Sequence, residues 1–432
     1  MNMKTIESVD FQGKKVLVRC DFNVPLNKDR QITDDTRIRE CLPTINKLLK
    51  DGAAVILMSH LGRPAGTGFE EEFSLAPVAD YLKKTLSCPV HFHQDAFTEE
   101  TVKAAQELRP GEVLLLENLR FIKGETKGDE TFASYLAKLG DAYVNDAFGA
   151  AHRAHSSTAV IAKFFPNDKY FGYLMANEIT NLEKLLHGAE HPFTAVIGGA
   201  KVSSKIDVLK NLADKVDSLI IGGGMAYTFI KAMGGSIGDS LVEDDKLATA
   251  CEIVEDFKRK NVKLYLPSDT LCADKFDNDA NRKVMPTHAI SSGWMGMDIG
   301  PDTIKEFSEV INASKSVLWN GPLGVFEMEN FSEGTLQIGR CIGQVTERGG
   351  YTAVGGGDSV AAANKLGLAK SLSYVSTGGG AMLEFQQLEP CVSAHNRRQR
   401  SLLRRRNSDR QLETDRPEGL QGSPVRNEQN RR

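Results

Sequence analysis

The chain has 432 residues, of which 41% are hydrophobic and 25% charged, enough apolar material for a packed core and too much for a disordered chain. Its 53 basic and 57 acidic residues give a formal net charge of −4, which argues against a nucleic-acid or membrane-surface binder and leaves any attraction for anions local. The seven cysteines form no CxxC pair and fit reduced thiols, no uncharged run reaches the ~18 residues of a membrane span, and the first residues lack a signal-peptide apolar region, so a cytoplasmic location is expected.

Lys15–Arg19 is a short β-branched run, and Ile38, Leu42, Ile45, Leu48 and Leu49 then recur at helical spacing over 34–50. Strand candidates follow at Ala54–Met58, Val113–Leu116 and Ala142–Asn145. Beyond Tyr173–His187, which has helical spacing, a second series runs through 194–197, Ser218–Ile221, 262–266, 316–319, Tyr351–Val354 and 372–375. Continuous apolar runs of this kind are expected of parallel strands buried on both faces, with helices as crossovers. Most end in Gly, Asp, Asn, His or Ser, where open α/β sheets carry their ligand loops. The pattern predicts two α/β lobes, over 1–172 and 188–377, separated by an interdomain helix at 173–187.

Composition changes at Gln386. The last 47 residues hold eleven arginines, no lysine and six acidic residues with few large apolar side chains, so 386–432 is expected to be disordered, either a solvated tail or an out-of-frame translated end. A nucleic-acid-binding arm is the sharper alternative.

Glycine is the strongest chemical signal: Gly198-Gly199, Gly222 to Gly224, Gly355 to Gly357 and Gly378 to Gly380 each end a β run. Such turns let backbone N–H groups approach phosphate oxygens, although strand-to-helix turns need glycine as well. Neither a GxxxxGK[ST] nor a GxGxxG string occurs. Lys201 and Lys205, four apart after a glycine turn, read as one face at a helix start, able to grip a polyphosphate or simply solvated. Asp358, followed by Ser359, is either a helix cap or a ligand for the magnesium that accompanies a nucleotide. Glu327 could accept from ribose hydroxyls or merely sit in a loop.

The first lobe reads as an anion site. Asp21, Asn23, His60, Arg63 and Arg120 stand at strand ends, with Arg37 and Arg153 nearby, and several arginines with a histidine suggest a forked receptor for carboxylate and phosphate. His152 and His155 lack a spaced third ligand, which argues against zinc, and no GxSxG elbow is present. One polyphosphate lobe, one anion lobe and no evident nucleophile suit direct phosphoryl transfer.

Seven strings in order closely resemble the phosphoglycerate kinase family: VRCDFNVP (18–25), SHLGRP (59–64), LENLRF (116–121), AHRAHSS (151–157), GGAKV (198–202), WNGPLGVFE (319–327) and GGGDS (355–359). The resemblance runs from about residue 4 to Phe385 and ends at Gln386. It implies two Rossmann-like parallel-sheet lobes joined by an interdomain helix and a hinge, with a hinge and return segment at 378–385. It implies reversible transfer between 1,3-bisphosphoglycerate with ADP and 3-phosphoglycerate with ATP, in a monomer that closes around its ligands. Carried over by motif, Asp21, Asn23, Arg37, His60, Arg63, Arg120 and Arg153 would hold 3-phosphoglycerate. Lys201, Lys205, Gly296, Asn320, Glu327, Gly356, Gly357, Asp358 and Ser359 would hold the nucleotide, with Asp358 on Mg²⁺. Arg37, Lys201 and the amide of Gly379 would face the phosphoryl group in flight. The departure at the end leaves a second reading, a closure-impaired binder of nucleotide and phosphoglycerate with little turnover.

Overall fold

A computed structural model describes residues 3–94 and 97–378. Gly379, positions 380–385 and the tail 386–432 lie outside the described residues, and so do the expectations placed on them.

The first sheet comprises β1 (Lys15–Arg19), β2 (Ala54–Met58), β3 (Val90–His93), β4 (Val113–Leu116), β5 (Ala142–Asn145) and β6 (Lys169–Phe171). All its pairings are parallel, in the order β3-β4-β2-β1-β5-β6. Alternate residues of β1 serve its two faces: Val16 and Val18 share a core with Ile38, Ile45 and Leu48 of the helix Thr36–Lys50, while Leu17 joins Leu136 and Ile161 opposite. Burial on both faces is why β1, β2, β4 and β5 read as unbroken apolar runs.

The second half of the chain supplies β7 (Phe193–Ile197), β8 (Ser218–Ile221), β9 (Ser236–Ile237), β10 (Lys263–Tyr265), β11 (Asp269–Ala273), β12 (Arg282–Pro286), β13 (Ala289–Ile290), β14 (Met295–Ile299), β15 (Ser316–Asn320), β16 (Tyr351–Val354) and β17 (Tyr374–Val375). Six of these form a second parallel sheet, β10-β8-β7-β15-β16-β17, and β12-β11-β14 form a small antiparallel sheet beside it. Sequence periodicity misses β3, β6, β9 and β11 to β14. The edge strand β3 carries His91 and His93 and is only partly covered, and four of the five β12 residues are exposed, so neither presents an apolar run.

Each large sheet reverses its strand order once, between β1 and β5 and between β7 and β15. Open α/β sheets bind ligands at the carboxyl ends of strands beside such reversals. Tyr173–His187 is a helix as the spacing predicts. Its first turn is capped from the first lobe: Tyr173 N–H donates to Thr44 Oγ1 at 2.9 Å and Met175 N–H to Asp146 Oδ1 at 3.2 Å. Its apolar face, Met175, Ile179, Leu182 and Leu185, packs into the core that contains Phe193, Ile197 and Leu209 of the second lobe.

Candidate active site

The loop after β1 carries Asp21 and Asn23. Asp21 Oδ2 accepts from Nη1 of Arg37, in the first turn of the helix Thr36–Lys50, at 3.0 Å. Burial pushes the Asp21 carboxyl up, but the charges of Arg37 and Arg19, with a hydrogen bond from the Asn23 backbone, hold the group below its usual range. Asn23 Oδ1 accepts from Gly62 N–H at 2.8 Å, tying the β1 loop to the β2 loop that bears His60 and Arg63. Gly62 sits at φ 61°, and a Cβ there would lie 2.3 Å from the Phe73 ring. Arg120 donates from Nη1 to Gly62 O at 2.7 Å, while its Nε is buried without a partner. Burial first, then Arg153 and Arg19, lowers the Arg120 guanidinium to about 10. An unpartnered N–H on a buried cation crowded by other cations is a place for an anion. Arg153 is exposed and donates from Nε to His152 Nε2 at 2.9 Å; Arg63 is exposed and makes no hydrogen bond or ion pair among the described residues.

On the second lobe, the loops after β7 and β15 meet at the strand reversal. A Cβ on Gly198 would come within 2.1 Å of Pro322 O, and one on Gly321 within 2.2 Å of Gly198 O, so the two backbones touch as only glycine permits. Lys205 Nζ donates to Asn320 Oδ1, Asn320 Nδ2 to Gly355 O, and Gly321 N–H to Ser359 Oγ, which binds three loops into one surface. Burial lowers the Lys205 ammonium, with Asp358 opposing. The expectation that Lys201 and Lys205 share a helix face is corrected. The helix is Ile206–Leu212, and Gly199 at φ 113° turns the chain ahead of it, so both lysines precede the first helical turn and Lys201 is exposed. Gly356, at φ 97°, caps the helix Gly357–Lys365, whose first turn holds Asp358 and Ser359.

Beside these loops lies a cavity of about 340 Å³, bordered by Gly199, Gly223, Gly296, Glu327 and Asp358. Leu241, Phe276, Met295, Met297 and Val325 give it an apolar wall. An apolar wall with a glycine and carboxylate rim suits a flat base bearing a phosphate chain. Gly296 is required as glycine, because a Cβ would lie 2.0 Å from Tyr227 Oη. Phe276, 65% exposed, belongs to this wall and was not found from sequence, since one aromatic in a polar loop carries no spacing signal.

Little in the sequence singles out Arg19, Ser157 and Glu125, all fully buried behind the first-lobe cluster. The available signal was an arginine ending an otherwise apolar parallel strand. Between the lobes, Glu178 of the interdomain helix accepts from Ser376 Oγ at 2.9 Å and from both N–H and Oγ1 of Thr377 at 2.7 Å. A Cβ on Gly378 would sit 2.2 Å from the Phe148 ring of the first lobe.

Two candidate ligand surfaces on separate lobes, joined by a helix, are the arrangement of a two-lobed metabolite kinase. The family model described as phosphoglycerate kinase matches residues 6–388, and the chain belongs to this family. Among its relatives, the phosphoglycerate kinase of Porphyromonas gingivalis is 50% identical over 404 residues, covering 88% of this chain and 96% of that protein. The cytosolic phosphoglycerate kinase of Triticum aestivum is 51% identical over 386 residues, covering 89% and 96%. The phosphoglycerate kinase structure from Coxiella burnetii superposes with a TM-score of 0.81 at 40% identity, covering 92% of this chain and all of that one. That from Pyrococcus horikoshii gives 0.77 at 30% identity, with 91% and 99% covered. The chain is thus a glycolytic kinase, and the reading as a binder with little turnover is not favoured.

Proposed function

We propose that the first-lobe cluster binds 3-phosphoglycerate and the second-lobe cavity binds ATP or ADP, the phosphoryl group passing directly between them in line. The observation that carries this is the segregation of charge: a buried, unpartnered arginine nitrogen beside Asp21, Arg37 and His60 on one lobe, and a glycine-rimmed apolar cavity on the other. Asp21, Asn23, Arg37, His60, Arg63, Arg120 and Arg153 hold 3-phosphoglycerate. Lys201, Lys205, Gly296, Asn320, Glu327 and Gly356 to Ser359 hold the nucleotide. Arg37 and Lys201 meet the charge that spreads over the phosphoryl oxygens in transit, and Gly379 is assigned to the same task. The substrate carboxylate is ionised at neutral pH and is itself the nucleophile, so no general base is required.

Asp358 fits Mg²⁺: it is exposed at the cavity rim, its carboxylate makes no hydrogen bond among the described residues, and no cluster of three metal-ligating side chains competes with it there. One carboxylate with substrate phosphates and water is the usual magnesium environment, and the bound ion neutralises phosphate charge. The lobes, 1–172 and 188–377 around the 173–187 helix and a 378–385 hinge, close to bring the ligands together and exclude water. The enzyme works as a monomer in the cytoplasm. Among the described residues no helix is long and apolar enough to cross a membrane.

The test is MgATP consumption by the full chain with and without 3-phosphoglycerate, with the acyl phosphate drained by a coupled enzyme. Turnover that depends on 3-phosphoglycerate is expected, and Lys201→Ala is expected to lower kcat by about a hundredfold while 3-phosphoglycerate binding stays within about threefold. Folded protein that binds nucleotide without turnover would overturn the proposal.

A further inference from the structure

Arg19 is fully buried at the carboxyl end of β1, and its three guanidinium nitrogens have separate partners. Nε donates to Ser157 Oγ at 2.8 Å, Nη1 donates to the Cys20 carbonyl, and Nη2 lies 3.2 Å from Nδ1 of His60. Ser157 Oγ lies 2.6 Å from Oε1 of Glu125, whose Oε2 accepts from Ser157 N–H at 3.1 Å; Ser157 and Glu125 are both fully buried. A guanidinium only donates, a carboxylate only accepts, and a hydroxyl has one proton to give. Every bond in the chain therefore has a single direction, from Arg19 Nε–H to Ser157 Oγ and from Ser157 Oγ–H to Glu125.

The same rule fixes the contact with His60. Nη2–H must donate and Nδ1 must accept, and an imidazole whose Nδ1 accepts is neutral, with its proton on Nε2. We infer that Arg19, seated by Ser157 and Glu125, is a positioning residue that holds His60 as the neutral Nε2–H tautomer. His60 then meets the substrate as a hydrogen-bond donor of fixed direction, while the arginines supply the positive charge. This rests on reading the cluster as the 3-phosphoglycerate site. The groups that face His60 agree with it: burial is the strongest influence against the charged ring, Asp21 favours that charge, and Arg19, Arg120 and Arg37 oppose it. Their balance leaves the imidazole well below its ordinary range.

The division of labour has a consequence for specificity. A neutral donor adds little to the general pull on anions but is sensitive to where an acceptor lies, so it discriminates between anions of similar charge and different shape. Lysine in place of Arg19 would keep the charge and lose the planar fork that reaches Ser157, Cys20 and His60 together.

The direct test uses the full chain labelled with ¹⁵N-histidine, with the His60 signals identified by their loss in His60→Gln, followed by long-range ¹H–¹⁵N correlation from about pH 5.5 to about pH 8. Protonated Nε2, bare Nδ1 and no titration across that range are expected. A protonated Nδ1, or a midpoint in the ordinary histidine range, would overturn the inference. In Arg19→Lys, where burial and the retained charge still disfavour the imidazolium but nothing fixes Nδ1 as the acceptor, a ring protonated on Nδ1 is expected to appear beside the Nε2–H form, and KM for 3-phosphoglycerate to rise about tenfold with kcat within about threefold, the loss of roughly one charge-assisted hydrogen bond. Ser157→Ala, which removes the seat and leaves the guanidinium, is the second variant if Arg19→Lys does not fold, with the same expected direction. Unchanged His60 signals and unchanged KM in both would also overturn the role. Addition of 3-phosphoglycerate separates the two levels. If it binds and His60 proves to carry its proton on Nδ1, the inference alone fails; if it neither binds nor moves the His60 signals, the substrate reading fails.

Discussion

Asp298 shows at the scale of one residue how this fold sets the backbone beside the candidate nucleotide cavity. It lies in β14, two residues beyond Gly296, and its carboxylate accepts from Ile299 N–H at 2.9 Å and from Gly334 N–H at 2.7 Å. Gly324 presses so close that a Cβ there would lie 2.1 Å from Oδ1. Burial pushes the carboxyl up to about 7 from 3.8, against the pull of its two backbone N–H donors. Because the folded value is the higher, the folded state keeps a proton that the unfolded chain surrenders above about pH 4, so stability falls as pH rises towards 7 and levels beyond it. The full shift corresponds to roughly 4 kcal/mol. Asp298→Asn, whatever it costs overall, is expected to show a shallower decline in unfolding free energy between pH 4.5 and pH 7.5 than the parent in urea titrations; parallel slopes would remove Asp298 as the source. Little at this scale beyond strand-end motifs was legible in the sequence. Asp21, His60 and Arg120 could be found because they stand where apolar runs stop. Asp298, Glu125 and Ser157 could not, because one polar residue in an ordinary stretch does not announce what it will be buried against.

Among the elements, the interdomain helix was the easiest to read and does the most to connect the lobes. Its fifteen residues carry an apolar face long enough for helical spacing to be unambiguous, whereas β9 and β13 have two residues each and leave no periodicity to detect. The antiparallel strands β11, β12 and β14 were hidden for a different reason: they form a small sheet with much of one strand exposed, so the apolar runs that revealed the parallel strands are absent. The helix also shows what spacing cannot convey. Glu178 on its buried side receives three hydrogen bonds from Ser376 and Thr377, a contact between positions about two hundred residues apart. Removing the carboxylate leaves the buried Ser376 and half-buried Thr377 donors unmatched, so Glu178→Ala is expected to lower unfolding free energy by about 2–4 kcal/mol, and Glu178→Gln, which keeps one acceptor, by less. Equal stability of all three proteins in guanidinium titrations would show that the contact is not a clamp.

At the scale of the molecule, the two parallel sheets each reverse order once, and the candidate residues gather at those reversals. That much follows from the alternation of strands and helices together with the glycine turns. The sequence could not show how residues near position 378 return to touch Phe148, because that contact is made by a glycine with no side chain to conserve a pattern. If closure accompanies the reaction, the radius of gyration in X-ray scattering should fall most when 3-phosphoglycerate and a non-reacting MgATP analogue are both present, and less with either alone. A radius indifferent to both ligands at saturation would count against closure. Among the described residues the first lobe holds the rest of the protein at separate places, among them where Thr44 and Asp146 grip the start of the interdomain helix and where Phe148 meets Gly378. An object pinned at one point can swing and twist in any sense; pinned at two, it keeps a single axis, as a gate does on a pair of pins. Lobes closing about such an axis would retrace one arc, so donor and acceptor would arrive in the same alignment every time, and the frame rather than the ligands would carry the task of aiming.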